Sequence, residues 1–327
     1  MMRGSADKAT RVSVIIPNYN GAAFLRECLS SVEKSTTPCD IIVVDDASTD
    51  HSADIVRREF PRANLITLHS NTGFAHAVNV GIRAATTPYV FLLNNDATVT
   101  AKTLDVLLHV METGRFFAAQ PLMLQKNDPE KVDSAGDYYN ALGYAFARGK
   151  DRDAAQYTKR CLITSACAGA AMYRKEEVEA LGGFDEAHVS YLEDVDLGIR
   201  AYLKGRHSVF VPETTVYHIG SATSGSRHNA FKVRISAANN LYLLYKNLPA
   251  AMAVLNLPFL IAGTLVKQAY FAREGFGSDY LRGLLDGLNK IKDNKDKKMR
   301  FELAQFPQYL TFQIGLWKNI VLRLREG

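Results

Sequence analysis

Residues 12–46 read VSVIIPNYNGAAFLRECLSSVEKSTTPCDIIVVDD. Residues 12–16 are an apolar run closed by Pro17, the pattern of a buried strand. Across residues 21–34 the apolar side chains Phe24, Leu25, Cys28, Leu29 and Val32 recur at helical spacing. Residues 41–44 form a second apolar run, which ends on Asp45 and Asp46. Strand, helix and strand in so short a span predict a parallel pair joined by a right-handed crossover and covered on both faces.

The pattern extends outward. A helix is expected after Asp46, with Ile55, Val56 and Phe60 on one face and Ser48 or Thr49 as its cap. A strand over 65–68, a helix over 72–85, a strand over 89–93 and a helix over 102–112 follow. This alternation defines an α/β class. Ligands of such sheets bind outside the carboxyl ends of the strands. Polar clusters fall there: Pro17, Asn18, Tyr19 and Asn20; Asp45 and Asp46; Asn71 with Gly73; and Asn94, Asn95 and Asp96. One such cluster is turn chemistry, but four at one sheet edge predict a site.

Residues 127–159 are polar, with Gly136, Gly143 and Gly149 between aromatics, an insertion of the kind that covers a site. A strand is expected over 168–173, a short helix over 175–181, a loop at 182–185 and a helix over 191–204. In that helix Asp196 stands four residues before Arg200, the spacing of an exposed ion pair worth a few tenths of a kcal/mol.

The chain has 327 residues, enough for a large core without disulfides or zinc. Net charge is a mild +5, which does not imply nucleic acid as a partner, although the basic residues are not evenly spread. Four cysteines lack any CxxC spacing and read as reduced thiols of a cytosolic protein. Residues 1–11 lack an apolar signal segment, so export is not expected. Residues 247–266 carry no formal charge, but Pro249, Asn256, Pro258 and Gly263 argue against an uninterrupted helix. Residues 290–300, KIKDNKDKKMR, are either a solvated linker or a surface for anionic headgroups. Residues 306–324, with Trp317 and Lys318, suit a helix lying in a membrane interface. Packing on the core or on a second subunit is the alternative for these segments.

Six motifs then occur in order: VSVIIPNYNG, IIVVDDASTD, NTGFAHAVNVGI, FLLNNDA, GGFDE at 182–186 with YLEDVDLGIRAYLKG at 191–205, and VYHIGSATSG at 216–225. Together they resemble the family 2 inverting glycosyltransferases. NND and the tail LLYKNLP look most like bacterial rhamnosyltransferases of surface-polysaccharide assembly. The resemblance implies a GT-A fold: a Rossmann-like, mixed, mostly parallel sheet flanked by helices, followed by a C-terminal helical extension. It divides the chain into a catalytic domain over 1–240, with a donor half near 11–125 and an acceptor half near 160–240, and a helical region over 241–327.

It also implies roles. A nucleotide-sugar donor, a dTDP- or UDP-sugar, would meet Pro17, Tyr19, Asn20, Asp45, Asp46, Asn71, Gly73, Asn79, Asn95 and Asp96. Asp96 and His218 would hold Mg²⁺ or Mn²⁺, hard cations suited to oxygen and imidazole ligands. The family's usual Asp-X-Asp is Asn-Asn-Asp here, which leaves one carboxylate for the ion. Inversion requires one base for the acceptor hydroxyl, and the resemblance gives that role to Asp194, with Glu193, Phe184 and Asp185 toward the acceptor. Arg227 and His228, in a Gly/Ser-rich stretch, would close over the diphosphate. The expected activity moves a hexose, rhamnose foremost, onto a lipid-linked or cell-surface glycan at the cytoplasmic face of a bacterial membrane. A homo-oligomer is compatible with this. The alternative is a non-catalytic nucleotide-sugar or glycan-binding subunit on the same fold.

Overall fold

In the computed structural model, which describes residues 10–220 and 229–326, β1 (Val12–Asn18) is buried along its whole length. It pairs in parallel with β2 (Cys39–Asp45) on one side and β4 (Tyr89–Leu93) on the other, and β2 pairs in parallel with β3 (Asn64–Thr67). The crossovers are α1 (Ala22–Glu33), α2 (Ser52–Glu59) and α3 (Phe74–Ala84). A strand buried on both faces has no polar face to alternate with, which is why these runs are continuously apolar. α1 and α2 seal one face around Leu25, Leu29 and Val56. α3 seals the other around Ala77, Val78 and Ile82.

After β4 come β5 (Ala97–Val99), α4 (Thr103–Thr113), β6 (Ala118–Gln125) and β7 (Asp128–Ser134). The small hairpin of β8 (Asp137–Tyr139) and β9 (Ala145–Ala147) precedes β10 (Cys161–Ile163), β11 (Ala170–Arg174) and α5 (Lys175–Ala180). Then follow α6 (Glu193–Leu203), β12 (Ser208–His218), α7 (Ala230–Asn247), α8 (Ala250–Arg273), α9 (Gly277–Asp293) and α10 (Phe306–Glu326). The main sheet runs β10-β12-β6-β11-β4-β1-β2-β3. β11 is antiparallel to both neighbours, whereas β12 returns parallel to β6. The expected mixed, mostly parallel sheet with a helical extension is thus the observed fold.

Three local expectations are corrected. α2 starts at Ser52, and neither Ser48 nor Thr49 caps it. Asp50 accepts from Ser52 N at 3.0 Å instead, and the Ser48 hydroxyl serves Asn20 N at 2.9 Å. α8 is one helix of 24 residues despite Pro258. Val254, whose carbonyl would have accepted the missing N–H, is 70% exposed, so the lost bond falls on the solvent side. Asp196 and Arg200 do pair, at 2.8 Å, but in the interior.

That pair belongs to a buried ionic cluster joining α6 to the C-terminal helices. Lys246 of α7 reaches Asp185 at 2.7 Å and Asp196 at 2.9 Å. Asn247 donates to Asp196 at 2.8 Å, and Lys297 reaches Asp185 at 2.7 Å. Burial opposes both charges, yet Lys246, Arg200 and Lys297 hold the two carboxyls below the usual carboxylate range. Removing one partner from such a cluster costs roughly 3–5 kcal/mol. The cluster accounts for the KN of LLYKNLP, and it turns part of the basic 290–300 segment inward. α7 runs without a break through residue 240, and Leu243, Met252, Phe312 and Leu316 share one apolar core with Val195 and Ile199 of α6.

Candidate active site

A cleft of about 710 Å³ opens where β1 and β4 end. It brings together Pro17, Tyr19, Asp46, Asn71, Gly73, Asn95, Asp96, Glu193, Asp194 and His218, all singled out in the sequence. Asn20, Asp45, Asn79, Phe184 and Asp185 do not line it. Phe184 is 1% exposed in the core, and Asp185 is committed to the ionic cluster, so their assignment to an acceptor surface is corrected. Asn79 clamps the Phe184 backbone, donating to its carbonyl at 2.8 Å and accepting from its N–H at 2.9 Å.

The strand ends are tied by a hydrogen-bonded chain that the sequence reading did not anticipate. Asn95 donates to Asn18 at 2.8 Å, and Asn18 donates to Asp45 at 2.8 Å. Asp45 also accepts from Ser48 N at 3.1 Å. Asn18 is therefore the hub, and Asp45 lies behind it rather than on the cleft surface. The turn that follows leaves no room for a side chain at Gly21, where a Cβ would sit 2.0 Å from Asn95 Nδ2. Asp46 does face the cleft. Its carboxylate accepts from Thr72 N and Gly73 N, each at 2.8 Å, and so fixes the 71–73 loop. Gly73 has φ +90° and abuts Val189, so both backbone and space demand glycine there.

Asp96 and His218 lie side by side, with Nε2 3.1 Å from the carboxylate. On its far side the imidazole Nδ1 is 2.8 Å from Asp133, which also pairs with Lys150. Burial disfavours the imidazolium, but the two carboxylates outweigh it and raise His218 to about 9. A carboxylate behind a histidine is how protein metal sites fix the tautomer that presents the other nitrogen. Asp96 and His218, backed by Asp133, therefore fit a hard divalent cation that would take the place of the Nε2 proton. Asn94, the first residue of Asn-Asn-Asp, sits 3.3 Å from His218 Nε2. Asp133 and Lys150 come from the polar insertion, which supplies side chains to the site rather than only a cover. Their sequence signal is faint: an Asp before a glycine turn and a lone Lys.

Asp194 stands in the first turn of α6 and accepts from Ala168 N at 3.1 Å and Val195 N at 2.8 Å. Burial pushes its carboxyl up, and those backbone bonds hold back part of the rise. Burial and the Asp194 charge also raise Glu193 and Asp137. Asp137, Cys167 and Asp194 bring their polar atoms within 4.8 Å of one another. A second such group among the described residues, Asp185, His188 and Asp196, has no charge left for a cation because Lys246 and Arg200 already neutralise it. The chain reaches α6 through a strained path: Val189, Tyr191 and Leu192 all have φ between +64° and +69°. Such conformations cost about 1–3 kcal/mol each and cluster at functional sites. Arg227 and His228 lie outside the described residues.

Residues 13–182 match the model of the family described as "Glycosyl transferase family 2". The chain is 26% identical over 245 residues to the N-acetylglucosaminyl-diphospho-decaprenol L-rhamnosyltransferase of Mycobacterium tuberculosis, covering 65% of this chain and 77% of that protein. Its fold is similar to that of the mannosyltransferase PcManGT from Pyrobaculum calidifontis, solved with GDP-Man and Mn²⁺, at TM-score 0.53 and 18% identity over 85% of this chain and 87% of the other. S. aureus TarS 1-349 with UDP-GlcNAc gives TM-score 0.53 at 19% identity, covering 92% and 79%. The family model spans more than half of the sequence, and the sheet carries the matching strand ends into one cleft: the protein belongs to glycosyl transferase family 2.

Proposed function

We propose that the protein is an inverting, metal-dependent glycosyltransferase that moves a sugar from a nucleoside-diphosphate sugar to a glycan hydroxyl. The observation that carries this reading is the shared cleft, with Asp194 and the Asp96–His218 pair all on its walls. Asp194 takes the proton of the attacking hydroxyl. Burial raises its carboxyl, which makes it a stronger base than an ordinary aspartate. Asp46, Asn71, Gly73 and Tyr19 accommodate the nucleoside side of the donor. Asp96 and His218 would hold Mg²⁺ or Mn²⁺, which supplies charge neutralisation to a departing diphosphate. Lys150 adds a fixed positive charge on the same wall.

The M. tuberculosis relative, by its name, is a rhamnosyltransferase acting on a decaprenyl-diphosphate-linked sugar. On that likeness we assign L-rhamnose from a dTDP- or UDP-linked donor as the transferred sugar and a lipid-linked glycan as acceptor. The test is thermal stability with UDP, dTDP, GDP and CMP, each with and without Mn²⁺. Stabilisation of about 2.7 kcal/mol is expected for a nucleotide at a hundredfold over its dissociation constant. A metal-dependent shift with UDP or dTDP is expected. A folded protein that responds to no nucleoside diphosphate would overturn the reading.

A lipid-linked acceptor requires access to a membrane surface. α8 is long and apolar enough to cross a bilayer by length and composition. Val254, Leu257, Ile261 and Leu265 form one helical stripe that is more than half exposed. The opposite side packs on the β8–β9 turn, where Tyr144 donates to Gly263 O at 2.6 Å and Lys267 to Gly143 O at 3.3 Å. That two-sided character supports a helix lying on the cytoplasmic leaflet. Removing residues 290–327 would break core packing, so point variants are the cleaner test. Leu257→Glu with Ile261→Glu is expected to weaken partition into phosphatidylglycerol-containing vesicles at least about tenfold, each apolar side chain being worth about 1.5–3 kcal/mol on burial. Unchanged co-flotation would remove α8 as the contact.

A further inference from the structure

The loop that delivers Asp194 to the cleft has only short-range backbone bonds of its own, Val189 N to Glu186 O at 3.0 Å and Ser190 N to His188 O at 2.7 Å among them. Three of its non-glycine residues, Val189, Tyr191 and Leu192, are left-handed in φ, and Val189 is β-branched, which makes it an outlier there. Most of the side-chain support for the loop comes from the C-terminal helices. Asn239 of α7 is fully buried, and its side-chain amide donates to three loop carbonyls: His188 at 2.9 Å, Ser190 at 2.8 Å and Tyr191 at 2.8 Å. Two N–H bonds thus serve three acceptors. The remaining oxygen of that amide accepts from the ammonium of Lys290 on α9, which fixes which way the amide faces. On the opposite side, Val189 O accepts from Ala75 N at the start of α3, at 3.1 Å. Neither Asn239 nor Lys290 lines the cleft.

We infer that Asn239, oriented by Lys290, is a positioning residue for transfer: it holds residues 188–192 in the one backbone path that sets Asp194 at the cleft. The C-terminal helices are then part of the catalytic apparatus, reaching the base through this amide. The inference rests on Asp194 being the base. It also explains why α7 and α9 pack so closely beneath the loop, where Gly283 and Gly287 let α9 approach the α7 backbone.

The test uses the full chain with Asn239→Ala, Lys290→Met and Lys290→Arg. Amide exchange over 188–194 is expected to speed up about tenfold or more in the first two, with the β1 and β4 amides unchanged. The dissociation constant for UDP with Mn²⁺ should stay within about twofold, while kcat for hydrolysis of UDP- and dTDP-sugars falls about tenfold or more. Lys290→Arg, which restores a donor, should recover most of that kcat. Unchanged exchange over 188–194 would overturn the clamp. A loosened loop with unchanged kcat would overturn its role in positioning. Loss of nucleotide binding and kcat together, in step with a lower melting temperature, would reduce Asn239 to a structural residue. If the wild-type chain turned over no sugar nucleotide, the glycosyltransferase reading would fail, while the exchange result would still decide whether Asn239 holds the loop.

Discussion

Asp194→Asn is expected to lower kcat by about 10²- to 10⁴-fold, the range for losing a general base, while nucleotide binding and the fold survive. The amide matches the carboxylate in shape. It can keep one of the two backbone bonds, from Ala168 N or Val195 N, by presenting its oxygen to that donor. It cannot accept a proton. The substitution also removes a charge that burial makes costly, which offsets the lost backbone bond, so the melting temperature should not fall. Steady-state transfer or donor hydrolysis, beside thermal stability with UDP and Mn²⁺, separates these effects. Turnover within about tenfold of wild type would show that the proton goes elsewhere.

Asp96→Asn carries the second large effect. The side chain keeps its size, but the cleft loses the carboxylate that stands 3.1 Å from His218 Nε2. With only Asn94 and Asn95 beside it, no second carboxylate in NND can take over. The metal-dependent part of nucleotide stabilisation should vanish. Transfer should fall at least about a hundredfold, since charge stabilisation by such an ion is worth several kcal/mol and each 1.36 kcal/mol is a factor of ten. His218 retains Asp133 at 2.8 Å, so the wall itself should stay in place. A titration of Mn²⁺ in the presence of UDP reads this directly. Undiminished metal dependence would move the ion to the group of Asp137, Cys167 and Asp194.

Much of the fold was legible because the parallel strands are short, apolar and buried on both faces. β1, β2 and β4 stand out as runs that no amphipathic helix would contain, and their ends are marked by polar residues. α6 was legible because Val195, Ile199 and Tyr202 recur at helical spacing. Errors arose where a residue's role depends on what packs over it. The Asp196–Arg200 pair has the spacing of a surface ion pair, and only the arrival of α7 with Lys246 makes it an interior one. Pro258 reads as a helix breaker, yet the bond it removes lies on an exposed face. GGFDE reads as an acceptor loop, yet Phe184 and Asp185 face the core and Lys246.

The sequence by itself determined the α/β class, the family and the residues at the strand ends. These follow from local pattern: apolar period, helix spacing and polar runs at fixed intervals along one chain. The tertiary structure alone decided which of those residues share a cleft and what holds them there. Asn18 as hub, Asp133 behind His218, Asp137 beside Asp194 and Asn239 beneath the 188–192 loop come from segments far apart in sequence. A single asparagine or aspartate carries no periodic signal. Its meaning is set by the partner that folding brings within hydrogen-bond distance, and by the burial that makes leaving that bond unmade costly.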